Sequence, residues 1–179
     1  MQVDDVVQQL KTIYQRRGVE HYGEQVTQLS HAVSCAKLAH HDGQSDSLVI
    51  AAFLHDVGHL VDDLDGFQSR IHDRVGADYL QQLGFDEAVV EPIRQHAEAK
   101  RYLCHREQGY LDTLSEASLI SLVFQGGIMT DAEADRFESL ERFNECVTLR
   151  RYDDLGKAEN YIFSEAEWVF EKIELYLNQ

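Results

Sequence analysis

Apolar side chains recur along this chain with a helical period nearly from end to end. From Val3 to Tyr14 they fall at positions 3, 6, 7, 10, 13 and 14, one stripe of an amphipathic helix that ends near Gly18. Val26, Leu29, Val33, Ala36, Leu38 and Ala39 predict a second helix that stops before Gly43. The run from Leu48 to His55 is apolar on most sides, which predicts a buried central helix. After an Asp- and Gly-rich loop, VDDLDGFQS, a helix over about 73–83 is closed by Gly84. Asp86 can cap the next helix, which reaches about Tyr102, with Pro92 near its first turns, where a missing N–H costs least. Thr113-x-x-Glu116 and Thr130-x-x-Glu133 fit capping boxes and predict helices over about 115–125 and 131–150. A last helix, about 164–177, carries Trp168, Val169, Ile173, Leu175 and Tyr176 next to Phe163. No segment alternates as a strand would. The expectation is an all-α fold of seven or so helices packed around 48–56. With one proline and no linker or repeat, residues 1–179 read as a single domain.

Charge narrows the partners. The net charge of −16 repels nucleic-acid backbones and anionic membranes, whose binding depends on clustered Lys and Arg, but leaves room for a small anion in a locally basic site. The longest apolar run, 48–54, is far short of the roughly 20 residues that span a bilayer. The start, MQVDDVVQQL, lacks the pattern of a signal peptide, so a soluble cytoplasmic protein is expected. Cys35, Cys104 and Cys146 form no CxxC pair or ladder, which agrees with a reducing compartment. The nine histidines are the unusual number.

The sharpest local feature is His55-Asp56-Val57-Gly58-His59, at the C-terminal end of the predicted central helix. On a helix, His55 and His59 share a face with the Asp56 carboxylate close by. Such a charge beside neutral imidazoles at the end of an apolar helix is costly unless a cation compensates it. His with Asp suits iron, manganese, zinc or cobalt, and the lack of placed thiolates argues against a closed structural zinc site. His31, His72, His96 and Asp153 are further candidates, each in or at the end of a different predicted helix.

Ordered as His31, His55-Asp56 and Asp153, these residues resemble the HD-domain superfamily, an all-α metal-dependent group; His72 and His96 mark its two-metal subset. The words EQVTQLSH at 24–31, HDVGH at 55–59, HAEAKRY at 96–102, QGG at 125–127 and RRYDD at 150–154 are similar to a branch of mixed-valent di-iron oxygenases acting on organophosphonates. The likeness spans roughly residues 20–160. It implies an HD-type helical bundle around a buried metal-bearing helix. One iron would be held by His31, His55, Asp56 and Asp153, and the other by His72, His96 and Asp56, whose two carboxylate oxygens make it the bridge. The Fe2+/Fe3+ pair would use O2 as co-substrate to cleave the C–P bond of a small 1-hydroxyphosphonate. With 2-amino-1-hydroxyethylphosphonate the products would be phosphate and glycine. The alternative is a metal-dependent HD phosphohydrolase acting on a small phosphate ester.

Around these ligands, Lys100 lies one helical turn beyond His96 and Arg150 one turn before Asp153, cations suited to a phosphonate. His59 reads either as a substrate contact or as a structural histidine. The resemblance places Ser118 near the phosphonate, and Gln125 sits in the same helix, which ends at Gly126-Gly127. It also implies a cover made by a tyrosine and by Glu24. Tyr22 stands two residues before Glu24 where the family spacing is three, the place His21 holds, so either can form the cover. His40, His41 and His105 read as solvated, and the acid-rich stretch 130–141 as a solvated helix face.

Overall fold

A computed structural model describes residues 2–21, 25–61, 71–157 and 160–179. Among them the chain is all-α, with no strand. The helices are α1 (Val3–Arg17), α2 (Gln28–His41), α3 (Asp46–Leu54), α4 (Gly58–Val61), α5 (His72–Gln82) and α6 (Glu87–Arg106). They continue as α7 (Tyr110–Thr113), α8 (Glu116–Phe124), α9 (Asp131–Glu138), α10 (Phe143–Leu155) and α11 (Glu167–Leu177), the last after a short 3-10 turn. None is long and apolar enough to cross a membrane.

Helix α3 is the centre. Ser45 caps it by accepting from the Leu48 N–H, and every residue from Leu48 to Leu54 is buried. It packs against α2, α6, α10 and α11. Phe53 stacks on Tyr14 at 4.6 Å and meets Phe170 edge-on at 5.3 Å, while the Tyr14 hydroxyl donates to the Phe53 carbonyl. Truncating a buried phenylalanine of this kind costs about 3–5 kcal/mol, so this cluster anchors α1 and α11 to the centre.

Three local expectations are corrected. Thr113 does not open a capping box: its hydroxyl donates to the Tyr110 carbonyl, and Ser115 caps α8 by accepting from the Ser118 N–H. The expected helix over 131–150 is broken, because Ser139 ends α9 with its hydroxyl on the Arg136 carbonyl and α10 starts afresh at Phe143. Thr130 and Glu133 do close the capping box at the start of α9. Pro92 is the sixth residue of α6, past the first turn, and has no N–H for the Ala88 carbonyl four residues back.

Two glycines permit close approaches that build the site. A Cβ on Gly58 would lie 1.9 Å from the His72 carbonyl, so only glycine lets α4 press against the start of α5. A Cβ on Gly156 would lie 2.3 Å from the Cys35 sulfur, so glycine lets the end of α10 press against α2.

Candidate metal centre

The six residues singled out in the sequence come from four helices and the turn that follows α3, and they meet beside its end. His31 is on α2, which Thr27 caps through the Ser30 N–H. His72 opens α5, His96 is mid-α6, and Asp153 is near the end of α10. His55 and Asp56 follow the last residue of α3, where the Val57 N–H bonds the Leu54 carbonyl and the His59 N–H the Asp56 carbonyl. This turn corrects the expectation that His55 and His59 share one continuous helix face. It sets the Asp56 carboxylate between two groups of histidines instead of beside one.

The distances divide into two clusters joined by Asp56. Its Oδ2 lies 3.7 Å from His31 Nε2 and 3.5 Å from His55 Nε2, and Asp153 Oδ1 lies 3.2 and 3.7 Å from the same nitrogens. Its Oδ1 faces the other way, 3.3 Å from His72 Nε2 and 3.8 Å from His96 Nε2. Within each cluster the imidazole nitrogens approach closely, His31 to His55 at 3.1 Å and His72 to His96 at 3.0 Å. Two donors each about 2.1 Å from one ion and at right angles to each other sit about 3.0 Å apart, so the spacing fits one cation per cluster.

The far ring nitrogens set the tautomers. Nδ1 of His31 donates to the Gly156 carbonyl at 2.8 Å, that of His55 to Ala52 at 2.9 Å and that of His96 to Ile93 at 2.7 Å. Neutral rings held this way present the Nε2 lone pair inward, the arrangement that orients metal-binding histidines. Lone pairs 3.1 Å apart repel unless a proton or a cation lies between them.

The electrostatics agree. Burial alone would raise both carboxyls, but His55 and His72 around Asp56, and Arg150, His31 and His55 around Asp153, hold them well below the usual carboxylate range. Burial likewise opposes charge on His55, yet Asp56 and Asp153 raise it to about 9. Burial, then the His72 charge, pushes His59 down to about 3 and His96 well below its usual value. Acids with depressed pKa values, the neutral His96, and His31 and His55, whose protons a cation would replace, together form a hard–borderline donor set that fits first-row divalent metals. A trio of His31, Cys35 and His55 also lies within ligating distance, as does one of Asp56, His59 and His72. The Cys35 thiol is engaged elsewhere, donating to the Tyr152 carbonyl at 3.2 Å.

A cavity of about 80 Å³ opens onto both clusters. Among its walls are His59, Ser118, Gln125 and Arg150, along with Gln28 and Ala117, which sequence reasoning missed. His59 stacks on His72 with ring centroids 4.1 Å apart. Gln125 Oε1 is buried without a hydrogen-bond donor. Lys100 is buried but does not wall the cavity: its ammonium donates to Ser121 Oγ at 2.5 Å and to the Ser118 carbonyl at 3.3 Å. Arg150 is more committed than its sequence position suggests, with donors on Asp153, Asp154 and Tyr110. Asp154 had a readable signal, four residues from Arg150 on one helix; Tyr110, from α7, had none. Tyr22 and Glu24 lie outside the described residues, and His21 is exposed. His105 is half-buried, 3.0 Å from the exposed Asp131.

This fold and donor set define a class. The HD domain family matches residues 28–123, more than half of the chain, and the chain belongs to it. It is 41% identical over 159 residues to hydroxymethylphosphonate dioxygenase from Gimesia maris, covering 86% of this chain and 79% of that protein. It is 36% identical over 159 residues to 1-hydroxy-2-(trimethylamino)ethylphosphonate dioxygenase (glycine-betaine-forming) from Leisingera caerulea, covering 86% and 81%. An uncharacterised protein of Acanthamoeba polyphaga mimivirus is 36% identical over 165 residues, covering 87% and 75%.

Proposed function

We propose that this chain is a di-iron oxygenase that cleaves the C–P bond of a small 1-hydroxyphosphonate. O2 is the oxidant: the carbinol C–H and C–P bonds break, one oxygen atom enters the new carboxylate and the other enters phosphate. Hydroxymethylphosphonate would give formate, and a 2-amino-1-hydroxyethyl substrate would give glycine. The observation that supports this reading is a single carboxylate, Asp56, with one oxygen toward His31 and His55 and the other toward His72 and His96. The names of two relatives, both phosphonate dioxygenases, support the reaction class.

His31, His55, Asp56 and Asp153 would hold one iron, and His72, His96 and Asp56 the other. When bound, the pair would supply Lewis acidity toward the substrate oxygens and a redox-active site that passes electrons from the substrate to O2. The protein does the rest by position. Ser118 and an N–H of Arg150 bind phosphonate oxygens at the cavity wall, and the buried Lys100 charge behind Ser118 adds attraction for the dianion. His59, neutral and fixed by its stack on His72, hydrogen-bonds the substrate hydroxyl. Gln125 Oε1 accepts from a substrate donor and so gains the partner it lacks. A cavity of about 80 Å³ beside these residues suits a small substrate. Glu24 with Tyr22 or His21 would cover it.

Iron analysis with Mössbauer and EPR spectroscopy on anaerobically purified protein tests the centre. Two irons per chain and a coupled mixed-valent signal are expected; a chain that holds zinc or a single iron contradicts the proposal.

A further inference from the structure

Arg150 is 3% exposed, so its charge needs a buried counter-charge. Two are present, and they do different work. Arg150 Nη1 donates to Asp153 Oδ2 at 2.7 Å, while Asp153 Oδ1 is the oxygen turned toward His31 and His55. The other side of the guanidinium is closed in a ring. Nη2 donates to Asp154 Oδ1, Nε donates to the Tyr110 hydroxyl at 3.1 Å, and that hydroxyl donates to Asp154 Oδ2. Tyr110 is itself fixed, 3% exposed among Leu103, Leu114 and Leu122, with the Arg151 guanidinium 5.3 Å above its ring.

We infer that Asp154 and Tyr110 are positioning residues that neutralise and hold Arg150, so that Asp153 remains available to the metal. Without Asp154, the buried guanidinium has Asp153 as its remaining carboxylate and draws it away from the two histidines. With Asp154, the two oxygens of Asp153 keep separate partners, one on Arg150 and one on the cation. The ring also fixes the guanidinium plane, which decides which N–H groups face the cavity. The inference rests on the reading of His31, His55, Asp56 and Asp153 as one centre and His72, His96 and Asp56 as the other.

The test measures manganese(II) binding by the EPR signal of the free ion, in two backgrounds that each keep one centre. In His96→Ala the centre of His31 and His55 remains; in His31→Ala the centre of His72 and His96 remains. Adding Asp154→Asn, which removes the charge and keeps the shape, weakens binding tenfold or more in the first background and less than twofold in the second, since partners of metal ligands are typically worth 10–100-fold in affinity. Tyr110→Phe, which changes no charge, weakens the first centre several-fold and spares the second. Equal weakening of both centres by Asp154→Asn, with no effect of Tyr110→Phe, means bulk charge alone and overturns the inference. Unchanged binding in both variants also overturns it. Failure of either parent background to bind one manganese contradicts the two-centre reading itself, before Asp154 is altered. If Asp154→Asn does not fold, Tyr110→Phe alone decides.

Discussion

Removing metal leaves Asp56 and Asp153 facing His31 and His55, and the imidazoles then hold protons in place of a cation. The perturbation is a pH rise from 6.5 to 8.0 in the presence of chelator. His55, its pKa raised from 6.5 to about 9, contributes stability that is complete below 6.5 and is lost as pH climbs through about 9. At about 1.36 kcal/mol per pKa unit, the part lost between pH 6.5 and 8.0 is about 1.5 kcal/mol. His31 is shifted in the same direction and adds to the loss. His59 and His96 are shifted the other way, and above pH 6.5 they gain only their last few tenths of a kcal/mol each. Lys100, lowered by burial and by Arg150 to about 8, adds stability mainly above this window, between 8 and its usual 10.5. The net expectation is a fall of at least about 1 kcal/mol. With a urea dependence of about 2–3 kcal/mol per molar, the midpoint drops by roughly 0.3–0.5 M or more, readable by circular dichroism. Saturating metal reverses the trend, because binding displaces those protons and is favoured by higher pH. A chelated protein whose midpoint is flat or rises over this range refutes the placement of the two carboxylates against His31 and His55.

Asp56→Ala removes metal from both centres, whereas His105→Ala, altering a surface pair with Asp131, leaves two per chain; retention of two irons in Asp56→Ala contradicts the bridge. Gly58→Ala forces the His72 backbone away and costs about 1–3 kcal/mol, or roughly 2–12 °C in Tm, with metal lost first from the His72 and His96 centre; calorimetry and metal analysis check both. Since Lys100 is a cation only below about 8, kcat/KM for a phosphonate falls above that pH in the native chain; Lys100→Met raises KM several-fold and removes this decline.

Much of this site was legible because its chemistry is encoded in residue type and order. His31, His55, Asp56, His72, His96 and Asp153 stand out as one metal-capable residue per predicted helix, and helices deliver side chains to a common point without help from loops. What was not legible depended on where helices stop. Nothing in the local sequence around Leu54 announces that α3 ends before His55, yet that turn gives Asp56 its two-sided position. The break at Ser139 was hidden by continuous helical periodicity on both sides. Arg150 read as an open cation although Asp154 stands one turn further along the same helix, and Tyr110 reaches it through the packing of α7, which no local pattern reports. The cover over the site, assigned to Tyr22 or His21 with Glu24, lies at residues of which two are outside the described structure.

The central claim is that O2, and not water, opens the substrate. The most direct measurement is phosphate release from hydroxymethylphosphonate by iron-loaded protein, with dissolved O2 followed in the same vessel. One O2 is consumed per phosphate released, and no phosphate is released under argon. Phosphate formed at an undiminished rate without O2 would contradict it and make the chain a hydrolase.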